Sequence, residues 1–184
     1  MAKVEVSLEV SFQQSAEALK GNPVRALKIA NRVTIDGNVI PVISFPKGVK
    51  VHEAVELAGL VKLDPTQLEA QWNQFEYVVF VQEDLLTKDP QLASFIVFHE
   101  LGHYVNEALV GDITDRRELW RELAADEFAI RHTSVEAQEA IVKLLEAHRD
   151  FCASNTASNT QFWEFVTEDQ ERISHIRQRI ASAA

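Results

Sequence analysis

The chain has 184 residues, of which 46% are hydrophobic and 25% charged, a composition typical of a globular protein with one full domain. Its formal net charge of −10 disfavours nucleic acid or an anionic membrane as the main partner. The single cysteine, Cys152, excludes an internal disulfide and any zinc site built mainly from thiolates, and it favours a reducing compartment.

The distribution of apolar residues argues against a membrane protein. The longest apolar runs are short, as in Val78–Val81 and Phe95–Phe98, whereas a membrane-spanning helix needs about 20 apolar residues. The first six residues alternate valine with charge and lack the apolar stretch of a signal peptide. We therefore expect a cytoplasmic protein, with no nucleic acid or membrane as partner, and leave its oligomeric state open.

The first half of the chain predicts a mixture of strands and helices. Asp36-Gly37 between two runs of β-branched residues predicts a hairpin over residues 33–43. Tyr77–Gln82, which is β-branched and aromatic, gives the clearest strand pattern. Five segments are expected to flank these elements: a strand at 3–10, weak helices at 15–20 and 23–31, and helices at 49–60 and 64–74.

The second half predicts helices only. Asp89-Pro90 places a capping residue before a proline at the first helical position, and Gly111 is a plausible stop. Asp115 and Glu118 have the spacing of a capping box at the start of the next helix, which should run to His132. We expect the remaining segments to be a helix at 135–151, a small polar loop at 153–160, and a final helix with acidic residues early and arginines late.

One pentapeptide carries most of the chemical information: His99-Glu100-Leu101-Gly102-His103. Histidines four residues apart lie on one face of a helix, so both imidazoles can reach one metal ion. Glu100, rotated by about a third of a turn, can take a proton from water bound to that ion, as in the H-E-x-x-H zinc peptidases. Gly102 is costly in a helix by about 1 kcal/mol, which predicts that another segment approaches closely there.

A catalytic zinc site requires a third protein ligand. Glu122 and Asp126 lie four residues apart on the following predicted helix, beside Ala125 and Ala129, whose small side chains allow close packing. We assign Glu122 as the third ligand and Asp126 as the group that accepts a hydrogen bond from a ligating imidazole. Glu118, one turn earlier, is the main competitor for the metal.

These two segments together resemble the gluzincin metallopeptidases. His99–His103 followed by Glu122-Leu123-Ala124-Ala125-Asp126 has the family's arrangement of motifs, and the string through Ala129 is similar to the ImmA/IrrE-like peptidases and to soluble M48-group peptidases. The resemblance covers about residues 77–131. It implies an α+β, zincin-like fold with a small N-terminal twisted sheet, an active-site helix and a helical C-terminal half.

The resulting hypothesis is a single zincin-like domain over residues 1–184, with a mixed lobe at 1–88 and a helical lobe carrying the metal site at 89–184. Its function would be that of a zinc-dependent endopeptidase acting on a protein or peptide, with Glu100 as general base. The alternatives are a catalytically silent binding or regulatory module that keeps the fold, and a structural metal site with a fourth protein ligand.

The donor that stabilises the oxyanion is left unassigned among four residues: Tyr104, His132, His148 and His175. Cys152 is expected to be a buried or incidental thiol. The three tryptophans, Trp72, Trp120 and Trp163, are expected in the core. Finally, one edge of strand 77–82 is hypothesised to be free to pair with substrate, the alternative being a central strand paired on both sides.

Overall fold

A computed structural model describes residues 4–5, 28–49, 57–63, 75–110, 118–155 and 162–183. The fold is α+β, with a five-stranded mixed sheet and five helices in this described part of the chain. Its contacts divide into two compact units, Met1–Pro90 and Gln91–Ala184. The first holds the sheet and a short helix, and the second holds the four long helices.

The sheet of the first unit has the strand order β1-β2-β3-β5-β4. Neighbouring strands are antiparallel except β3 and β5, which are parallel. The elements of this unit are β1 (Val4–Glu5), β2 (Lys28–Ile35), β3 (Asn38–Phe45), β4 (Ala58–Lys62), β5 (Tyr77–Gln82) and α1 (Glu83–Lys88).

The predicted hairpin is confirmed and joins β2 to β3. Asp36 and Gly37 both have positive φ angles, 49° and 83°. A two-residue turn with both central residues in this region has the twist that suits antiparallel strands. Val33 accordingly lies opposite Ile40, and both side chains are buried.

Strand β5 is present over the residues predicted for it, but the hypothesis of a free substrate-binding edge is wrong. Its backbone pairs with β3 on one side, where Val79 lies opposite Val42, and with β4 on the other, where Val79 lies opposite Leu60. Val78–Val81 are buried, which explains why the strand reads as a continuous apolar run. Both of its edges are therefore already occupied.

Two predicted helices are wrong where the structure describes them. Lys28–Asn31, placed at the end of a weak helix, belong to β2, and Ala58–Leu60, placed at the end of another, belong to β4. Pairing with β3 and with β5 supplies these segments with backbone partners, and this outweighs a weak local preference. Gly59, interpreted as a helix stop, lies within β4 opposite Phe80.

The other first-half predictions concern segments that fall largely outside the described residues. Of the strand predicted at 3–10, Val4–Glu5 is described and is a strand. The described range does not include 15–20, 23–27, 50–56 or 64–74. Helix α1 was not predicted, because its six residues are too few to show a helical period.

The four long helices of the second unit confirm the predicted helical half. They are α2 (Pro90–Val110), α3 (Glu118–His132), α4 (Val135–Asn155) and α5 (Phe162–Ala183). Helix α4 is four residues longer than predicted, so the first three residues of the expected polar loop are helical. Their shared core contains eight buried residues: Phe95, Ala129, Ala137, Ile141, Val142, Leu145, Ile173 and Ile176.

None of the described helices is both long enough and apolar enough to cross a bilayer.

The predicted close approach at Gly102 is confirmed and involves helices α2 and α3. A Cβ atom built on Gly102 would lie 2.7 Å from the Cα of Ala125 and 2.8 Å from its carbonyl oxygen. Both of these atoms are backbone, so they cannot move aside without shifting the helix. Ala125 and Ala129 are fully buried on the facing helix, as their small size suggested.

We expect Gly102→Ala to destabilise the fold. In an unconstrained helix this change stabilises by about 1 kcal/mol. Here the added methyl group must separate α2 from α3, and we expect a net loss of about 1–3 kcal/mol. Urea denaturation measures the free energy of unfolding, and Ser94→Ala on α2 controls for helix propensity. A Gly102→Ala protein as stable as the parent would contradict the packing.

Candidate metal centre

The two histidines of α2 meet at their outer nitrogens. Their spacing of four residues places the rings on one face, with the ring centroids 4.7 Å apart and Nε2 of His103 3.1 Å from Nε2 of His99. His99 is 8% exposed and His103 is partly buried, while Leu101 on the opposite face is fully buried. The burial of that apolar face fixes the rotation of the helix and so directs both imidazoles toward α3.

Helix α3 brings a carboxylate to the same point. Oε2 of Glu122 lies 3.1 Å from Nε2 of His99, and Oε1 lies 3.3 Å from Nε2 of His103. One donor atom from each of these three residues lies within 4.8 Å of the others. The structure therefore brings together the three residues assigned as metal ligands from the sequence.

Asp126 lies one turn after Glu122 and contacts the other nitrogen of His99. The Nδ1–H group of His99 donates to Oδ1 of Asp126 at 2.8 Å, and the aspartate is fully buried. This is the contact expected from the sequence. It fixes the orientation of the ring and directs its Nε2 toward Glu122 and His103.

Arg172 of α5 is a further member of the cluster, and the sequence analysis missed it. Its Nε and Nη2 groups donate to the two oxygens of Asp126 at 2.8 and 2.9 Å, and its Nη1 lies 3.2 Å from Oε2 of Glu122. The side chain is 12% exposed. Arg172 is 46 residues from Asp126 in the chain, and no local spacing relates the two. The sequence pattern predicts only that the late arginines of the last helix complement its dipole.

The contacts within the cluster favour the charged forms of His99, Glu122 and Asp126. Burial lowers the pKa of His99, but its hydrogen bonds to Asp126 and Glu122 outweigh burial and raise the pKa to about 9. Burial raises the pKa of Glu122, but hydrogen bonds from His103 and His99 outweigh it and hold the pKa well below its usual range. The pKa of Asp126 is likewise lowered, because His99 and Arg172 outweigh its burial.

The remaining site candidates are placed as follows. Glu100, the assigned general base, is partly buried on α2 next to His99. The backbone of Glu118 begins α3, but its side chain lies outside the described residues, so its competition with Glu122 stays open. Tyr104 is partly buried on α2.

The other three histidines that were considered as oxyanion donors have contacts of their own. His132 stacks on Phe98 with ring centroids 5.5 Å apart. His148 donates from Nδ1 to Asp169 at 2.7 Å, and Nε2 of His175 lies 3.4 Å from Glu127. These contacts give no reason to assign any of them to the oxyanion.

Cys152 is a buried thiol, as expected, at 1% exposure. Its sulfur lies 3.6 Å from Nε2 of His148. Burial and the charge of Asp169 raise the pKa of the thiol, so this arrangement disfavours the thiolate that a nucleophile would require.

The expectation that the tryptophans lie in the core is wrong for two of them. Trp120 and Trp163 are 52% and 58% exposed. Both lie on amphipathic helices whose core positions are filled by smaller residues such as Ala129 and Ile173. Trp72 lies outside the described residues.

Comparisons of the chain with protein-family models, with proteins of curated function and with solved structures give no match. The chemistry of the centre therefore has to be argued from its own residues.

The donor set fits zinc. Two imidazole nitrogens and one carboxylate are ligands that this ion accepts, and catalytic zinc sites use three protein ligands and leave one position open. Among the described side chains, this is the one group of three such donors within 4.8 Å. The contact between Asp126 and His99 supplies the outer hydrogen bond that ligating histidines generally make.

We expect the purified protein to contain one zinc ion per chain and His103→Ala to lose it, because two ligands hold zinc far less tightly than three. Elemental analysis after dialysis measures the content. His132→Ala removes an imidazole that lies outside the cluster and should retain zinc. Stoichiometric zinc in the His103→Ala protein would exclude this ligand set.

Zinc affinity should also depend on pH. A proton on Nε2 of His99 must leave before that nitrogen can bind zinc, and the pKa of this group is raised from 6.5 to about 9. The affinity should therefore rise with pH across this interval, by roughly tenfold per unit where one proton is displaced. Competition with a chelator of known pH dependence measures it, and a flat profile would contradict the protonation state described above.

Proposed function

We propose that this chain is a zinc-dependent peptidase of the gluzincin type, a hydrolase that cleaves peptide bonds in a protein or peptide substrate. One observation carries the proposal. His99, His103 and Glu122, which a sequence motif nominates as ligands, lie on two different helices and direct their donor atoms to a common point. A pair of incidental histidines on a helix would have no reason to face a carboxylate in this way.

Glu100 supports hydrolysis over simple metal storage. It follows His99 directly on α2, so helix geometry rotates its side-chain direction by about 100° from that of His99 and would allow its carboxylate to reach the cluster. A carboxylate at this position can accept a proton from the attacking water and deliver it to the leaving amine. A noncatalytic module would not need to keep it.

The roles of the residues follow from their contacts. His99, His103 and Glu122 would hold the ion, and Asp126 keeps Nδ1 of His99 protonated so that Nε2 is the ligating nitrogen. When bound, zinc would lower the pKa of a coordinated water and polarise the scissile carbonyl. Glu100 would move the proton, and the water-excluding packing of α2 on α3 would strengthen these electrostatic interactions.

The proposal includes a zincin-like architecture and a cytoplasmic location. The order of a small mixed sheet followed by a helical unit whose first long helix carries the histidine pair supports the first. The single cysteine, kept as a thiol, and the net charge of −10 support the second. Protein or peptide is the proposed substrate class.

Glu100→Gln tests the enzymatic part of the proposal. The variant should keep its zinc and its fold but lose at least ~10²-fold in turnover, because a positioned base contributes about that much. The measurement is incubation of the zinc-loaded protein with a proteome, followed by mapping of new protein N-termini. Glu139→Gln, the same change at an exposed position on α4, should cleave normally.

The outcomes separate two functions. Cleavage sites that appear with the parent and with Glu139→Gln but not with Glu100→Gln support the peptidase. If the parent binds zinc but produces no new N-termini, the noncatalytic binding module is favoured instead. If Glu100→Gln cleaves as fast as the parent, Glu100 is not the base.

A further inference from the structure

One guanidinium group connects most of the metal centre. Arg172 contacts both oxygens of Asp126, one oxygen of Glu122 and, at 3.5 Å, Nδ1 of His99. It thus contacts two proposed ligands, Glu122 and His99, and also the carboxylate that orients His99. The arginine comes from α5, whereas the histidines come from α2 and the carboxylates from α3.

We propose that Arg172 is a positioning residue of the metal centre, which holds Asp126 and Glu122 in the arrangement that binds zinc. The planar guanidinium donates two parallel hydrogen bonds to Asp126, and this geometry fixes the plane of the carboxylate. The carboxylate in turn fixes the ring of His99. This inference rests on the zinc site of the proposed function and adds a residue that the motif does not contain.

The alternative is that Arg172 merely fastens α5 to α3, and the chain contains a second arginine for comparison. Arg179, two turns later on α5, donates two hydrogen bonds to Glu127 of α3, each at 2.8 Å. It therefore joins the same two helices with the same geometry. The environments differ, since the side chain of Arg179 is 48% exposed and that of Arg172 is 12% exposed.

A second alternative is that the positive charge of Arg172 opposes a divalent cation. Asp126 and Glu122 carry two negative charges and Arg172 one positive charge, so the three together still attract a cation. Without Arg172, Asp126 would remain fully buried with His99 as its one partner among the contacts described. Such a carboxylate would lose the two hydrogen bonds that fix its plane and could rotate, and it would then no longer fix His99. We therefore expect the loss of positioning to exceed the relief of repulsion.

The test compares the zinc affinity of four proteins by competition with a chromophoric chelator: the parent, Arg172→Gln, Arg172→Lys and Arg179→Gln. Arg172→Gln should bind zinc about 10–100-fold more weakly, the usual effect of removing an outer hydrogen-bonding partner. Arg172→Lys keeps the charge but cannot donate the paired hydrogen bonds, and should restore only part of this loss. Arg179→Gln should bind within about twofold of the parent, although it removes the same kind of helix contact.

An independent readout is the NMR signal of the His99 Nδ1 proton. The hydrogen bond to Asp126 should hold this proton in slow exchange in the parent and in Arg179→Gln, and the signal should broaden in both Arg172 variants. A merely structural contact between α5 and α3 would not distinguish the two arginines. Urea denaturation shows which variants are folded. If Arg172→Gln is unfolded, the zinc affinity of Arg172→Lys is compared with that of the parent and of Arg179→Gln instead.

Each outcome has one meaning. Equal zinc affinity in the parent and the folded Arg172 variants, or tighter zinc binding in Arg172→Gln, would overturn the positioning role while leaving the zinc site intact. Equal losses of zinc affinity in Arg172→Gln and Arg179→Gln would show that Arg172 acts only as a contact between α5 and α3. If the parent itself binds no zinc, the proposed function and this inference both fail.

Discussion

The candidate metal centre depends on how closely α2 can approach α3. At Gly102 the backbone of Ala125 occupies the space that a side chain would need. This contact sits between the two histidines in sequence, and it sets the distance at which Glu122 and Asp126 face them. A separation larger by the width of a methyl group would lengthen the contacts of about 3 Å that join the histidines of α2 to Glu122 and Asp126 of α3 beyond useful range. The glycine is therefore a requirement of the hydrogen bonds of the cluster as well as of the packing.

Close packing of this kind creates an electrostatic problem, because it removes charged groups from water. Asp126 is fully buried, and an isolated carboxylate in that position costs several kcal/mol. His99 and Arg172 offset the cost of burying this carboxylate, each with a hydrogen bond of 2.8 Å to Asp126. The same partners hold the pKa of Asp126 below its usual value, so that it remains an acceptor for the imidazole. The cluster is stable only as a set, and its members come from three helices.

How far the sequence predicts this structure depends on how local each signal is. His99 and His103, or Glu122 and Asp126, are related by one helical turn, so their shared faces follow from periodicity alone. The hairpin at Asp36-Gly37 is likewise set by two residues. In contrast, the segments Lys28–Asn31 of β2 and Ala58–Leu60 of β4 were predicted as helix ends, because their strand character comes from pairing with β3 and β5. The pairing of β5 on both of its edges and the contact of Arg172 with Asp126 also depend on residues far apart in the chain. No spacing in the sequence reveals either of them.

The contribution of α5 would link the proposed metal binding to the folding of the helical unit. Ile173 and Ile176, next to Arg172 on α5, are fully buried in the core that also contains Phe95 of α2 and Ala129 of α3. When these isoleucines pack into the core, α5 lies where the guanidinium of Arg172 reaches Asp126. An ion that binds only the folded unit stabilises it by RT ln(1 + [L]/Kd), which is about 4 kcal/mol at a thousandfold excess over Kd. Because the arginine and the core residues share one helix, this stabilisation would reach α5 as well as the two helices that carry the ligands.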